Sequence, residues 1–158
     1  MLEVVLFGAP QIKLDGRSLP HLTGKKAPAL FYYLAVTRRI LTRDTLASLF
    51  WADVESTVAK KNLRDVLPLL RYSVGDYLLI TNHTIAFNPE QESSVDVEQF
   101  CAILEEAGAE TSVAALRTAL DLYRGEFLEG FYIDDAPRFE EWVLWQRDRL
   151  QRLAIEGL

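Results

Sequence analysis

Residues 56–87, STVAKKNLRDVLPLLRYSVGDYLLITNHTIAF, contain a helical pattern followed at once by two strand-like runs. The i, i+3, i+4, i+7 spacing of a helix with one buried face is shared by Leu63, Val66, Leu67 and Leu70. The runs 77–81 and 84–87 are joined by Asn82-His83, and asparagine tolerates the left-handed conformation that a tight turn needs. The stretch therefore predicts a helix and then a β-hairpin.

The residues before this stretch predict a small sheet and two more helices. Residues 2–7 form a short apolar, β-branched run, and Asp15-Gly16 is a strong hairpin-turn dipeptide. A first helical pattern covers residues 25–36, and a second begins with Thr42 as N-cap. The helix in 56–87 is therefore the third.

The residues after the hairpin predict a change of architecture. Residues 88–94 have the composition of a linker, and the chain beyond them is helical in pattern throughout. We therefore predict an α+β domain over residues 1–92 that folds alone, followed by an all-α domain over residues 95–158.

The net charge of −6 is divided unevenly along the chain. Residues 1–95 carry 11 Lys and Arg against 9 Asp and Glu, a net +2, whereas residues 96–158 carry 6 against 14, a net −8. Such asymmetry indicates two modules with different partners. A nearly neutral first half agrees equally well with a surface that binds no nucleic acid.

Composition also predicts the compartment. Cys101 is the one cysteine, which excludes an internal disulfide framework and fits a reducing environment. Glu3 interrupts the first apolar run, so no secretory signal is visible, and the mostly apolar run 27–36 is too short to span a bilayer. We therefore expect a cytoplasmic protein without membrane contact.

The exposed face of the third helix is polar and mostly basic, and its candidate binding residues are Lys60, Lys61, Asn62, Arg64 and Arg71. With Ser56 or Thr57 as N-cap, Lys60 and Lys61 fall in the first turn, where the helix dipole disfavours cations by roughly 0.3–1 kcal/mol each. Asparagine and arginine are the usual readers of adenine and guanine edges. Cations kept at an unfavourable position indicate more than a solvated surface.

The order of strands, three helices and hairpin is the plan of a winged helix-turn-helix, in which the third helix lies in the DNA major groove and the hairpin contacts the backbone. The hairpin adds Asn82, His83 and Thr84 to the DNA-binding candidates. The alternative interpretation is a helix whose charges only keep the surface soluble.

The sequence contains no arrangement typical of an active site or a metal site. His21 and His83 are far apart, without cysteine or carboxylate at metal-ligand spacing. Paired acids such as Glu105-Glu106 are sequence neighbours, which point about 100° apart on a helix and do not face one substrate. We therefore expect a protein that is not an enzyme and uses no metal or cofactor.

Two stretches resemble a known family. Leu6-Phe7-Gly8, Leu49-Phe50-Trp51 and residues 59–71 resemble the DNA-binding domain of the Streptomyces antibiotic regulatory protein (SARP) family. Leu122-Tyr123-Arg124-Gly125, Phe139-Glu140-Glu141-Trp142 and residues 147–153 resemble the bacterial transcriptional activator domain of that family.

The resemblance implies a response-regulator type of winged helix followed by tetratricopeptide-like helices. It also implies a transcription regulator, in particular an activator. Such a protein binds double-stranded promoter DNA, contacts RNA polymerase and forms a homodimer through its helical domain. The loop with Trp51, Asp53 and Glu55 matches the segment that faces polymerase in similar domains.

Two features depart from the family pattern. The activator domain usually continues through more helices, so we expect this chain to be a fragment of a longer protein. Pro68 lies inside the third helix, where proline costs around 3 kcal/mol, so either the helix kinks or it ends near Leu67. Pro68 and the weak charge of the first half favour the runner-up function, a protein-interaction module of winged-helix shape that does not bind DNA.

Overall fold

The computed structural model of the chain describes residues 1–19, 22, 24–106 and 112–158, so His21 lies outside the described residues. The strands are β1 (Leu2–Val5), β2 (Gln11–Leu14), β3 (Arg17–Ser18), β4 (Leu41–Thr42), β5 (Leu78–Ile80), β6 (Thr84–Phe87) and β7 (Ser93–Val95). The helices are α1 (Lys26–Thr37), α2 (Arg43–Phe50), α3 (Ser56–Val74), α4 (Asp96–Glu106), α5 (Val113–Leu122) and α6 (Pro137–Glu156). The fold is therefore mixed α+β, with small sheets.

The chain divides into two compact units. The first consists of residues 1–18, 93–131 and 141–158, and the second of residues 19–92 and 132–140. Each of the two segments of the second unit thus lies in the sequence between segments of the first.

The first unit contains a four-stranded sheet of order β3-β2-β1-β7. Strand β1 pairs antiparallel with β2 and parallel with β7. Asp15 and Gly16 both have positive φ, as the tight turn between β2 and β3 requires, so the predicted hairpin dipeptide is confirmed. Helix α4 packs against α5, and it buries the side chains of Val97 and Phe100.

A buried carboxylate joins the sheet of the first unit to its helices. Asp96, the first residue of α4, is 8% exposed. Its two carboxylate oxygens accept hydrogen bonds from the backbone N–H groups of Leu6, Phe7 and Val97 at 2.8–3.0 Å. Burial raises the pKa of the Asp96 carboxyl, and these backbone donors oppose the shift.

The second unit packs α1, α2 and α3 with a three-stranded sheet of order β4-β6-β5. Its apolar side chains form aromatic contacts: Phe31 lies 5.7 Å from Phe87, and Phe50 lies 5.1 Å from Phe139, between ring centroids. Thr42 caps α2, because its hydroxyl accepts a hydrogen bond from the Thr45 N–H at 3.1 Å. The predicted N-cap of the second helix is therefore confirmed.

Two details of the sequence interpretation are wrong. The N-cap of α3 is Glu55 rather than Ser56 or Thr57, so the helix starts earlier than predicted. Within the predicted linker, residues 93–95 form β7, because their backbone groups pair with β1. The strands β1–β3 cluster in one compact unit with residues 93–131, and the division of the chain into domains of residues 1–92 and 95–158 stays a prediction.

Helix α3 does not end at its proline. Pro68 is exposed and lies inside a helix that continues to Val74, so the alternative of a helix end near Leu67 is wrong. Proline removes one backbone donor, which leaves the carbonyl of Arg64 without its usual helical partner. Because Arg64 is also exposed, solvent can hydrate that carbonyl and the helix continues.

None of the helices in the described ranges is long and apolar enough to cross a bilayer.

Candidate nucleic-acid interface

An open groove of about 500 Å³ lies in the second unit, where the start of α2, one side of α3 and the β5–β6 turn meet. Its lining residues are Thr42, Arg43, Asp44, Lys60, Leu63, Arg64, Asn82 and His83. Lys60 and Arg64 stand one helical turn apart on α3, and both are exposed. The structure thus brings two predicted helix residues and two predicted hairpin residues to one surface.

The turn between β5 and β6 is tied to the start of α2. The Arg43 backbone N–H donates to the His83 carbonyl at 2.9 Å, and the Arg43 guanidinium Nε donates to the Thr81 carbonyl at 3.0 Å. Two bonds from one residue fix the hairpin turn relative to α2 at this side of the groove.

The basic side chains of the groove outnumber the acidic ones. Arg43, Lys60 and Arg64 carry positive charge, and Asp44 is the acid among the lining residues. The Lys60 ammonium lies 3.3 Å from an Asp44 carboxylate oxygen, and both side chains are more than half exposed. An exposed pair of this kind contributes little to stability, so Lys60 is available to an incoming anion at small cost.

Four predicted DNA-binding residues do not line the groove. Lys61 is exposed and its ammonium lies 2.9 Å from an Asp65 carboxylate oxygen, one turn further along the same helix. Asn62 is half-buried, and its position lies about 200° around the helix from Lys60. Thr84 is half-buried, with its hydroxyl 2.8 Å from that of Thr81.

Arg71 is the fourth predicted DNA-binding residue outside the groove, and it is exposed near the end of α3. It stands eleven residues after Lys60, about three full helical turns, and so lies almost on the same line along the helix. A ligand that extends beyond the groove along α3 would meet Arg71 on the same side of the helix.

The dipole argument made from the sequence does not hold. Because α3 begins at Ser56, its first turn ends at Ala59, and both Lys60 and Lys61 lie in the second turn. The dipole penalty falls off within the first turn, so their positions carry no special cost. The case for a binding face rests instead on the groove.

The hairpin turn is also built differently from the prediction. Asn82 is not among the described residues with positive φ. The Thr81 hydroxyl instead accepts hydrogen bonds from the backbone N–H groups of His83 and Thr84, at 3.2 and 2.9 Å. A threonine hydroxyl therefore organises this turn, and Asn82 and His83 remain exposed at its tip.

The loop between α2 and α3 holds the predicted partner residues. Trp51 lines a second groove of about 300 Å³, and the Lys26 ammonium lies 4.9 Å from the centre of its ring. Lys26 also donates to the carbonyl of Phe50, the last residue of α2, at 2.6 Å. Asp53 and Glu55 are exposed and do not line that groove.

Arg43 and Lys26 were missed by the sequence interpretation. A signal for Arg43 is present in the sequence, because it directly follows the N-cap Thr42 and helix N-termini attract anions. The sequence does not reveal the partner of Lys26, since its bond to Phe50 joins residues 24 positions apart.

Within the described ranges, no group of three or more His, Cys, Asp or Glu residues is placed to hold a metal ion.

The groove and its surroundings define the class of protein. It is a mixed α+β chain in which three helices and a hairpin present a basic surface. No protein-family model matches the chain, and no curated protein matches it. A solved structure described as "Mycobacterium tuberculosis EmbR in complex with low affinity phosphopeptide" has the same fold, with a TM-score of 0.76 and 20% sequence identity.

The match covers 99% of this chain and 45% of the EmbR chain. At this identity the likeness shows the fold alone, and it agrees with the mixed α+β fold expected from the sequence. The winged-helix and tetratricopeptide-like details stay predictions.

Proposed function

We propose that the chain is a non-enzymatic transcription regulator of the cytoplasm that binds double-stranded promoter DNA through α3 and the β5–β6 hairpin, which acts as the wing. The observation that carries the proposal is the convergence of Lys60 and Arg64 with the turn residues Asn82 and His83 on one groove. The sequence separates these two pairs by about twenty residues, and the fold brings them together.

The groove has the chemistry that phosphate recognition needs. Arginine and lysine bind phosphate oxygens through charge-assisted hydrogen bonds, and such contacts supply most of the affinity for DNA. Arg43 adds a third cation, and its two bonds to the hairpin hold the turn in place before DNA arrives. A groove organised in advance loses less entropy when it binds.

Arg64 is the candidate for sequence reading. It is exposed on α3, one helical turn after Lys60, and it lines the groove. An arginine there has the length and the paired donors to bind the O6 and N7 atoms of guanine in a major groove. Lys61 and Arg71 would contact flanking phosphates or bases outside the groove, whereas half-buried Asn62 lies on another side of the helix.

The fold shared with EmbR agrees with this assignment, and the sequence resemblance stated above supports it at the level of class. We further propose activation through contact of RNA polymerase with the loop of Trp51, Asp53 and Glu55, and homodimer formation through tetratricopeptide-like helices in residues 95–158. These partners follow from the resemblance stated above.

DNA binding is tested by a gel-shift experiment on the full chain, with a random-sequence pool and a direct-repeat probe at two salt concentrations. With about four to six phosphate contacts for each protomer, log K should fall with log salt at a slope of roughly −4 to −5. Lys60→Ala should weaken all sequences equally. Arg64→Ala should also relax the preference at one base position, at a cost of about 1–3 kcal/mol.

Arg117→Ala is the matched control, because Arg117 is an exposed cation of α5 outside the groove and its loss changes the net charge by the same amount. His83→Ala should have a smaller, sequence-independent effect. Absence of salt-dependent binding at low salt, or unchanged binding by both Lys60→Ala and Arg64→Ala, would favour the alternative function of a protein-interaction module.

A further inference from the structure

The second unit contains a segment from far along the chain. Residues 132–140 cluster with residues 19–92, although β7, α4 and α5 separate the two stretches in the sequence. The buried Phe139 anchors the segment, because its ring packs on that of Phe50. Helix α6 starts within the segment at Pro137, and the rest of the helix belongs to the first unit. A change along α6 can therefore reach the second unit through these residues.

One charged side chain joins this segment to the loop between α2 and α3. The Lys26 ammonium donates a hydrogen bond to the Phe50 carbonyl at 2.6 Å and stands 4.9 Å from the centre of the Trp51 ring. The same ammonium lies 3.3 Å from an Asp135 carboxylate oxygen. Trp51, the first residue of the loop, and Asp135 therefore share one cation.

The position of Lys26 makes this cation costly to keep. Its side chain is 17% exposed, and Lys26 is the first residue of α1, where the helix dipole disfavours positive charge. A nearly buried ammonium needs hydrogen bonds and an opposite charge, because little water remains to solvate it. The opposite charge comes from Asp135, which is 67% exposed and can be solvated without Lys26. Lys26 therefore depends on Asp135 more than Asp135 depends on Lys26.

The segment makes a second contact with α2. The Arg138 guanidinium donates a hydrogen bond to the Ser48 hydroxyl at 2.7 Å. Ser48 and Trp51 stand about one helical turn apart, and both line the groove of about 300 Å³ described above. Residues 132–140 therefore act on that groove at two points, directly at Ser48 and through Lys26 at Trp51.

We propose that residues 132–140 are a latch that sets the position of the Trp51 ring, with Asp135 acting through Lys26. When Asp135 is in place, its carboxylate holds the Lys26 ammonium against the ring. When Asp135 is withdrawn, the ammonium turns toward water and no longer holds the ring. The loop of Trp51 is the proposed polymerase contact, so under the proposed function the latch regulates that contact. The latch itself requires neither DNA nor polymerase.

The test is fluorine NMR of the full chain labelled with 5-fluorotryptophan. The sequence has three tryptophans, and the variant Trp51→Phe assigns the resonance of Trp51. Asp135→Asn should shift that resonance and increase its solvent-isotope shift between H2O and D2O, because the ring becomes more exposed. The resonances of Trp142 and Trp145 should keep their positions, and they report whether the fold is kept.

Asp134→Asn is the matched control, because Asp134 is the neighbouring exposed acid and its change removes the same charge; the Trp51 resonance should not move. Asp135→Glu keeps the carboxylate and should keep the wild-type resonance. Arg138→Gln loosens the segment at its other contact and should move the Trp51 resonance in the same direction as Asp135→Asn.

Four outcomes overturn the proposal. They are a Trp51 resonance that Asp135→Asn leaves in place, an equal response to Asp134→Asn, a response to Asp135→Glu as large as that to Asp135→Asn, and a joint shift of all three resonances. The last of these would show a general loss of structure instead of a released latch. Because no DNA is present, each of these results leaves the DNA-binding test unaffected.

Discussion

Asp96 gives the sharpest stability prediction. Its buried carboxylate accepts hydrogen bonds from three backbone N–H groups, those of Leu6, Phe7 and Val97. Asp96→Ala removes the acceptor for all three. Each buried donor left without a partner costs about 1–3 kcal/mol, and partial relaxation lowers the sum, so we expect a loss of about 3 kcal/mol. Against a typical total of about 5–15 kcal/mol, this is a large fraction of the stability.

Asp96→Asn is the matched variant, because it keeps the size of the side chain and one carbonyl oxygen. We expect it to lose about half as much as Asp96→Ala, since one oxygen can still accept two hydrogen bonds. Urea unfolding followed by circular dichroism measures both variants. A loss below about 1 kcal/mol for Asp96→Ala would refute the reasoning, because the backbone donors would then have found other partners.

The pH dependence tests the charge of Asp96 separately. Burial raises the pKa of this carboxyl above its unfolded value of 3.8, so the folded chain holds the proton more tightly than the unfolded chain. The Asp96 carboxyl therefore adds to the free energy of unfolding below pH 3.8, and this addition is lost as the pH rises through the folded pKa. The advantage of wild type over Asp96→Asn should shrink across this window. An advantage that grows instead would mean that the backbone donors outweigh the burial.

Two further predictions concern the second unit. Pro68→Ala should leave the free energy of unfolding unchanged or raise it, since Pro68 is exposed inside a continuous helix; a urea midpoint that corresponds to a loss above roughly 1 kcal/mol would contradict this. The fragment 1–95 should fold, but in calorimetry it should unfold at a lower temperature than the full chain, because it lacks two residues that make tertiary contacts. Phe139 packs on Phe50, and Asp96 accepts a hydrogen bond from the Phe7 N–H. Equal melting temperatures would show that these contacts contribute nothing, and an unfolded NMR spectrum would show that the domain boundary is wrong.

The elements that the sequence predicted well are those whose signal is local. The apolar spacing of α3 and the N-cap Thr42 of α2 depend on neighbours within one or two turns, and both are confirmed. The β5–β6 hairpin was likewise predicted from adjacent runs, and its bounds differ from the prediction by one residue at each end of β5. Local patterns are physical constraints that act before any tertiary contact forms.

The parts that escaped prediction depend on pairings between distant residues. Residues 93–95 have no strand pattern of their own, and they are a strand because β1 offers them a free edge. Arg43 reaches Thr81 across 38 residues, and Lys26 reaches Phe50 across 24. The basic side of α3 could be predicted from composition, whereas the groove that joins it to the hairpin could not.

The parallel pairing of β1 with β7 has a consequence for how the chain folds during synthesis. Leu2 pairs with Ser93, so one edge of β1 has no partner until about ninety further residues have left the ribosome. Residues 19–92 lie entirely within this interval. Closing a loop costs entropy that grows slowly with length, by about 0.6 kcal/mol for each doubling, and an inserted unit that is already folded shortens the effective loop. Strand β7, the last strand of the described residues, therefore completes the sheet that β1, β2 and β3 began.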